Sequence, residues 1–130
     1  MTDPTATTDR QPHDTGAERA VLGCMMLNAE LADDAIDIIH SSADFYTPTH
    51  ASVYAAITAA HAANEPTDPT VIASYLDRSG ELARIPGGAI HLSDLVADAP
   101  ISMSIGWYAR KVAECATRRR LIAAGMRIVQ

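Results

Sequence analysis

Lysine is almost missing from this chain, Lys111 being the only one. A phosphate-cradling loop ends in Gly-Lys-Ser/Thr, which brings an ammonium and a magnesium-binding hydroxyl to the phosphates. The glycine pair Gly87-Gly88 carries no such ending. Cysteine is equally scarce. Cys24 and Cys115 stand in no metal or redox spacing and read as buried, reduced thiols of a cytosolic protein. The five histidines, at 13, 40, 50, 61 and 91, form no i, i+3 or i, i+4 pair, so zinc-site spacing is absent. Neither a Gly-x-Ser-x-Gly elbow nor a Cys/His nucleophile signature occurs. An enzyme is not expected, nor is a cofactor or a metal. Apolar runs long enough to span a membrane are lacking, and Met1 to Gly16 contains no apolar signal region. The expectation is a cytoplasmic protein with no membrane partner.

Long Val/Ile/Thr alternations are missing too, and alanine dominates, which points to an all-α fold. With 130 residues, one domain with a real core is expected. Aromatic residues make up only 5%, and they are concentrated. Asp44 to Tyr54 holds the single Phe and two of the four Tyr. Large rings bury far more area than alanine, so Phe45, Tyr46, Val53 and Tyr54 are the expected structural core. Thr47 followed by Pro48 reads as a helix cap and first helical position.

Residues 1–14 offer almost nothing to bury and read as a disordered leader. A helical head of about five helices is expected over residues 15–101. Thr15-Gly16-Ala17-Glu18 has the form of a capping box, and Val21, Leu22, Met25 and Met26 share the face that follows. Gly23 interrupts that helix, best explained by close packing. Asn28 caps a second helix, roughly residues 29–41, with Leu31, Ala35, Ile36, Ile38 and Ile39 inward. Asp33, Asp34 and Asp37 face away as a solvated surface. A catalytic carboxylate pair would need a cleft that pushes two pKa values apart. A third helix runs from Pro48 to about Ala63, with His50 neutral and hydrogen-bonded in its first turn. Asp68-Pro69 starts a fourth helix, with Ile72, Tyr75 and Leu76 inward, that stops at Gly80. A fifth, carrying Leu92, Leu95 and Val96, ends before Pro100.

The last segment, 102–130, differs in kind. Ile105, Tyr108, Val112, Cys115, Ile122, Met126 and Val129 recur at helical spacing, with Arg119 on the seam. Such a helix would be roughly 40 Å long, against a radius of gyration of ~13 Å for a head of this size. It should protrude, leaving the head near Arg118-Arg119-Arg120. Leu121, Ile122, Met126 and Val129 then form a candidate oligomer interface. No Gly, Asn or Pro stops the pattern at Gln130, as in a helix cut midway. Charge divides at the same place. Residues 1–100 carry four Arg against fifteen acids, giving −11, and residues 101–130 carry five Arg and one Lys against Glu114, giving +5. An acidic body beside a basic end suggests an interaction surface.

Several short pieces, taken in order, resemble the N-terminal domain of bacterial replicative DNA helicases of the DnaB type. Glu18-Arg19-Ala20-Val21-Leu22-Gly23 with Met25-Met26-Leu27 resembles the family's opening helix. Asp44-Phe45-Tyr46, His50 and Val53-Tyr54 resemble its central motif. Pro66-Thr67-Asp68, with Val71 and Leu76, resembles its next helix, and Gly80-Glu81-Leu82 with Ile85-Pro86-Gly87-Gly88 its turn. Tyr108-Ala109, Val112 and Arg119-Arg120-Leu121-Ile122 resemble the start of its long helical hairpin. His91 and Ser104 depart from the pattern, standing where an aromatic and an Asn are usual.

The resemblance implies a helical head followed by the first arm of a hairpin. In the family, hairpins of two subunits pair, and three such pairs form the collar of a hexamer. It also implies docking of primase, with a helicase loader as a further partner, and an ATP-driven motor on a separate domain through which DNA is engaged. Two other classes are consistent with the residues: a free-standing helical adaptor, and a nucleic-acid-binding module using Arg110, Lys111, Arg118, Arg119, Arg120 and Arg127. The −11 body and the lack of interleaved aromatics speak against the last. For Arg118 to Arg120 a wholly solvated cluster and an ion pair from Arg119 to a body carboxylate both remain open.

Overall fold

The computed structural model describes residues 11–100 and 104–129. Among them, six helices and two short 3-10 turns form an all-α fold. The helices are α1 (Thr15–Met25), α2 (Ala29–Ile38), α3 (Pro48–Ala62), α4 (Pro69–Arg78), α5 (Ala89–Ala97) and α6 (Ile105–Val129). The turns are Ser42–Asp44 before α3 and Leu82–Arg84 before α5.

Helix α1 is the centre of the head. From Ala17 to Met25 only Arg19 escapes full burial, and α2, α3, α5 and α6 all pack on it. Small residues make this possible, because Ala17, Ala20 and Gly23 let neighbours approach the backbone closely. The aromatic stretch sits at one end of α1 rather than at the middle of the core. Phe45, Val53 and Tyr54 are buried. Phe45 and Tyr54 pack with ring centroids 4.8 Å apart, and the Tyr54 hydroxyl donates to the Ile39 carbonyl at 2.5 Å. Burial, followed by the nearby Asp44 charge, pushes the Tyr54 phenol up to about 12. Tyr46 departs from the expected core, remaining 40% exposed. Its ring instead stacks on His13, centroids 4.1 Å apart.

Asn28 and Asp68 cap α2 and α4, their side chains accepting from Leu31 N–H at 2.9 Å and Val71 N–H at 3.2 Å. The expected capping box is corrected by one residue. Asp14 is the cap of α1 and accepts from Ala17 N–H, while Glu18 turns into the core. Thr47 precedes Pro48 as expected but makes no side-chain cap bond. Asn64, at φ 59°, ends α3 in the left-handed conformation, and Glu65 N–H closes back on the Ala60 carbonyl. At the end of α1 the buried Thr67 hydroxyl donates to the Met25 carbonyl, one of the helix-end acceptors left without an intrahelical partner.

Residues 11–14 of the expected leader lie against the head, through His13 on Tyr46 and through Pro12; residues 1–10 fall outside the described ones. Residues 101–103, and with them the expected helix start at 102, also lie outside. The first half of α6 belongs to the core, with Ile105, Ala109, Val112, Cys115 and Ala116 buried. The free part of α6 begins near Thr117, beside the Arg118-Arg119-Arg120 cluster.

Candidate interaction surface

Two features dominate the far side of the head: a buried carboxylate at the root of α3 and the arm of α6 that leaves from the same place. Glu18 is 1% exposed. It occupies the inward face of α1, one turn ahead of Val21 and Leu22. Tyr46 N–H donates to its Oε2 at 2.7 Å and Thr47 N–H to its Oε1 at 3.3 Å. His50 Nδ1 lies 2.8 Å from Oε1, and because the carboxylate only accepts, that nitrogen carries the proton. Glu18 thus places a negative charge at the positive end of α3, the role a Thr47 cap would otherwise share. Burial raises its carboxyl, but the bonds from His50, Tyr46 and Thr47 outweigh that and leave it below the usual carboxylate value.

The base of the arm is tied to the same motif. Arg119 donates to the Pro12 and Asp44 carbonyls, both at 2.7 Å, and its guanidinium lies 5.5 Å from the Tyr46 ring centre. Arg120 donates to Asp44 Oδ1 at 2.9 Å. The carboxylate partner in the basic cluster therefore belongs to Arg120, and Arg119 bonds backbone carbonyls instead. Arg118 is exposed. Asp44 and Glu18 went unrecognised in the sequence as anchoring groups. Glu18 could have been found by its register with Val21, Leu22 and Met25, a charge on an otherwise apolar face.

Beyond Arg120 the arm touches little of the head. Leu121, Ile122 and Met126 are 67%, 41% and 60% exposed, and Ile128 is 84% exposed. The Val129 side chain lies outside the described residues. Such a run of large apolar side chains on one projecting helix is a typical mark of an interaction surface. Asp33 and Asp37 are exposed as a polar face, with Asp33 2.5 Å from His61 Nε2. Cys24 and Cys115 are free and buried, and burial pushes the Cys24 thiol up. Among the described residues no group of three or more His, Cys, Asp or Glu is placed to hold a metal ion, and no described helix is long and apolar enough to cross a membrane.

An all-helical head with its last helix running out as an arm is the architecture of a replicative-helicase N-terminal domain. Residues 10–114 match the family described as DnaB-like helicase N terminal domain, and the chain belongs to it. It is 44% identical over 119 residues to the Replicative DNA helicase DnaB of Mycobacterium leprae, covering 92% of this chain and 19% of that protein. The identity is 41% with the replicative helicase of Leifsonia xyli and 33% with that of Geobacillus stearothermophilus, each over 92% of this chain and 26% of the relative. The chain thus spans about a fifth to a quarter of these relatives. The crystal structure of the N-terminal domain of DnaB helicase from Mycobacterium tuberculosis superposes with a TM-score of 0.87 at 42% identity, covering 93% of this chain and 86% of that one.

Proposed function

We propose that this domain serves assembly and docking in a cytoplasmic replicative DNA helicase and carries out no catalysis itself. The observation that carries the proposal is the arm, with Leu121, Ile122, Met126 and Ile128 exposed beyond the last head contact. In this reading the exposed end of α6 begins a hairpin whose apolar side packs on a second copy, and repeated pairing builds the collar of a hexamer. Head and collar then receive primase or a helicase loader, while ATP hydrolysis and DNA translocation belong to a separate motor domain. The basic cluster supports protein docking over DNA binding, since Arg119 and Arg120 are turned onto Asp44 and Pro12 rather than toward one outer track.

Titrating the purified chain with its cognate primase by calorimetry, alongside a fluorescence titration with single-stranded DNA, tests the reading. Saturable primase binding with weak DNA binding is expected. Tight DNA binding at physiological salt, with a steep salt dependence and no primase binding, overturns it.

A further inference from the structure

Behind Glu18 lies a second histidine that the docking role does not use. His91, on α5, places its ring 6.2 Å from the His50 ring and nearly parallel to it, 13° between planes. Its Nε2 is buried and has no hydrogen-bond partner. Glu18 from α1, His50 from α3 and His91 from α5 thus form one row across three helices. The carboxylate at its head takes its hydrogen bonds from His50 and two backbone N–H groups and makes none to His91. We propose that His91 is an acid-sensitive latch that keeps α5 docked on α1 and α4 while neutral and releases it when protonated.

The charges that bear on His91 come from three elements. Arg19 on α1 and His50 on α3 oppose a positive ring, and Asp94 on its own helix favours one. Burial is the largest influence and, with His50 and Arg19, outweighs Asp94, holding the ring below its usual 6.5. A proton arriving at Nε2 would create a buried cation whose N–H has no acceptor. Swinging α5 outward gives that N–H water and separates it from Arg19. The docked position is close-fitting, because α5 meets α1 backbone to backbone at Gly23 and Leu95. A small displacement there uncovers Leu92 and Leu95, both buried when α5 is docked.

Linkage fixes the direction. The folded ring titrates below the unfolded one, so the latch contributes fully above pH 6.5 and weakens as pH falls from there to the folded value. Within that window one proton is taken up per opening, so the opening constant of α5 rises by up to about tenfold per pH unit.

The test is amide hydrogen exchange of the chain from pH 8 to pH 5, corrected for intrinsic rates, with α5 compared to α2. Protection in α5 should fall in acid while α2 stays protected. His91→Phe, which keeps a ring and removes the titration, should make α5 protection independent of pH over this range. Asp94→Asn removes the one charge favouring protonation of the docked ring, so the fall in protection should begin at the same pH, continue further into acid and reach a lower floor. Uniform protection of wild-type α5 down to pH 5 overturns the latch. An unchanged transition in His91→Phe, or a floor of protection no lower in Asp94→Asn than in the parent, assigns the titration to another group and overturns it equally.

Discussion

Gly23 stands so close to α5 that a Cβ placed on it would lie 2.2 Å from the Leu95 carbonyl oxygen. The obstacle is backbone, which cannot swing aside as a side-chain tip can. Glycine inside a helix ordinarily costs roughly 0.5–1 kcal/mol relative to alanine, so an exposed Gly→Ala would stabilise. Here Gly23→Ala should destabilise by about 1–3 kcal/mol, the range for overpacking a well-filled interior. Urea unfolding followed by circular dichroism checks it, and a variant more stable than the parent would show that the two helices can part at no cost.

Glu18→Gln tests the buried hub. The amide keeps one acceptor for Tyr46, Thr47 and His50 and loses the charge at the α3 N-terminus. Weakening these charge-assisted hydrogen bonds should cost about 1.5–3 kcal/mol. The pH dependence follows from the lowered carboxyl. Because the folded group titrates below 4.5, its contribution is complete above pH 4.5 and is lost as pH falls through the folded value. The Gln variant should lose that acid step, read from denaturation midpoints between pH 5 and pH 3, and keep any change that occurs nearer pH 6.

What the sequence made legible was local. Asn28 and Asp68 each bond an N–H three residues on, so their capping could be read from neighbours alone. The apolar periods of α1, α2 and α4 carried the helices in the same way. Glu18 was misread because its partners lie 28 to 32 residues away, and a Thr-x-x-Glu spacing has a local explanation that satisfies the eye first. Tyr46 was misread because an aromatic beside Phe45 invites burial, whereas extended backbone at Phe45 sends neighbouring side chains to opposite sides. The exit of the last helix was legible from length alone, since a helix of this size outruns the head; the structure buries Ile105, Val112 and Cys115 and leaves Ile122 and Met126 exposed.

Phe45→Ala removes the one Phe ring, buried against Tyr54. Large-to-small changes of this size in a packed core cost about 3–5 kcal/mol. Thermal melts should show a loss in that range. A loss under roughly 1 kcal/mol would mean the ring contributes area without packing.

The two arginines at the arm's base should separate in effect. Arg119 bonds two carbonyls from distant parts of the chain and covers Tyr46, and hydrogen bonds from charged donors are worth about 1.5–3 kcal/mol each when sheltered. Arg119→Ala should lower stability by about 2 kcal/mol and loosen residues 11–14. Arg120 is 61% exposed in its pair with Asp44, so Arg120→Ala should cost no more than about 1 kcal/mol. Equal losses in the two variants would mean the Asp44 ion pair, rather than the carbonyl bonds, fixes the arm.

The arm itself gives the sharpest test of assembly. Leu121, Ile122, Met126 and Ile128 expose large apolar surface where the helix runs beyond the head, and burying such surface is worth about 25 cal/mol per Å² removed from water. A second copy offers the same surface, so two chains can bury their arms together as a symmetric pair. Ile122→Asp with Met126→Asp places two carboxylates in that seam, and neither residue helps to build the core. Sedimentation should show the parent chain associating with rising concentration and the double variant as a monomer. Circular dichroism should report an unchanged melting transition for the head. A variant that still dimerises would move the self-contact off the arm, to a face such as that carrying the exposed Trp107.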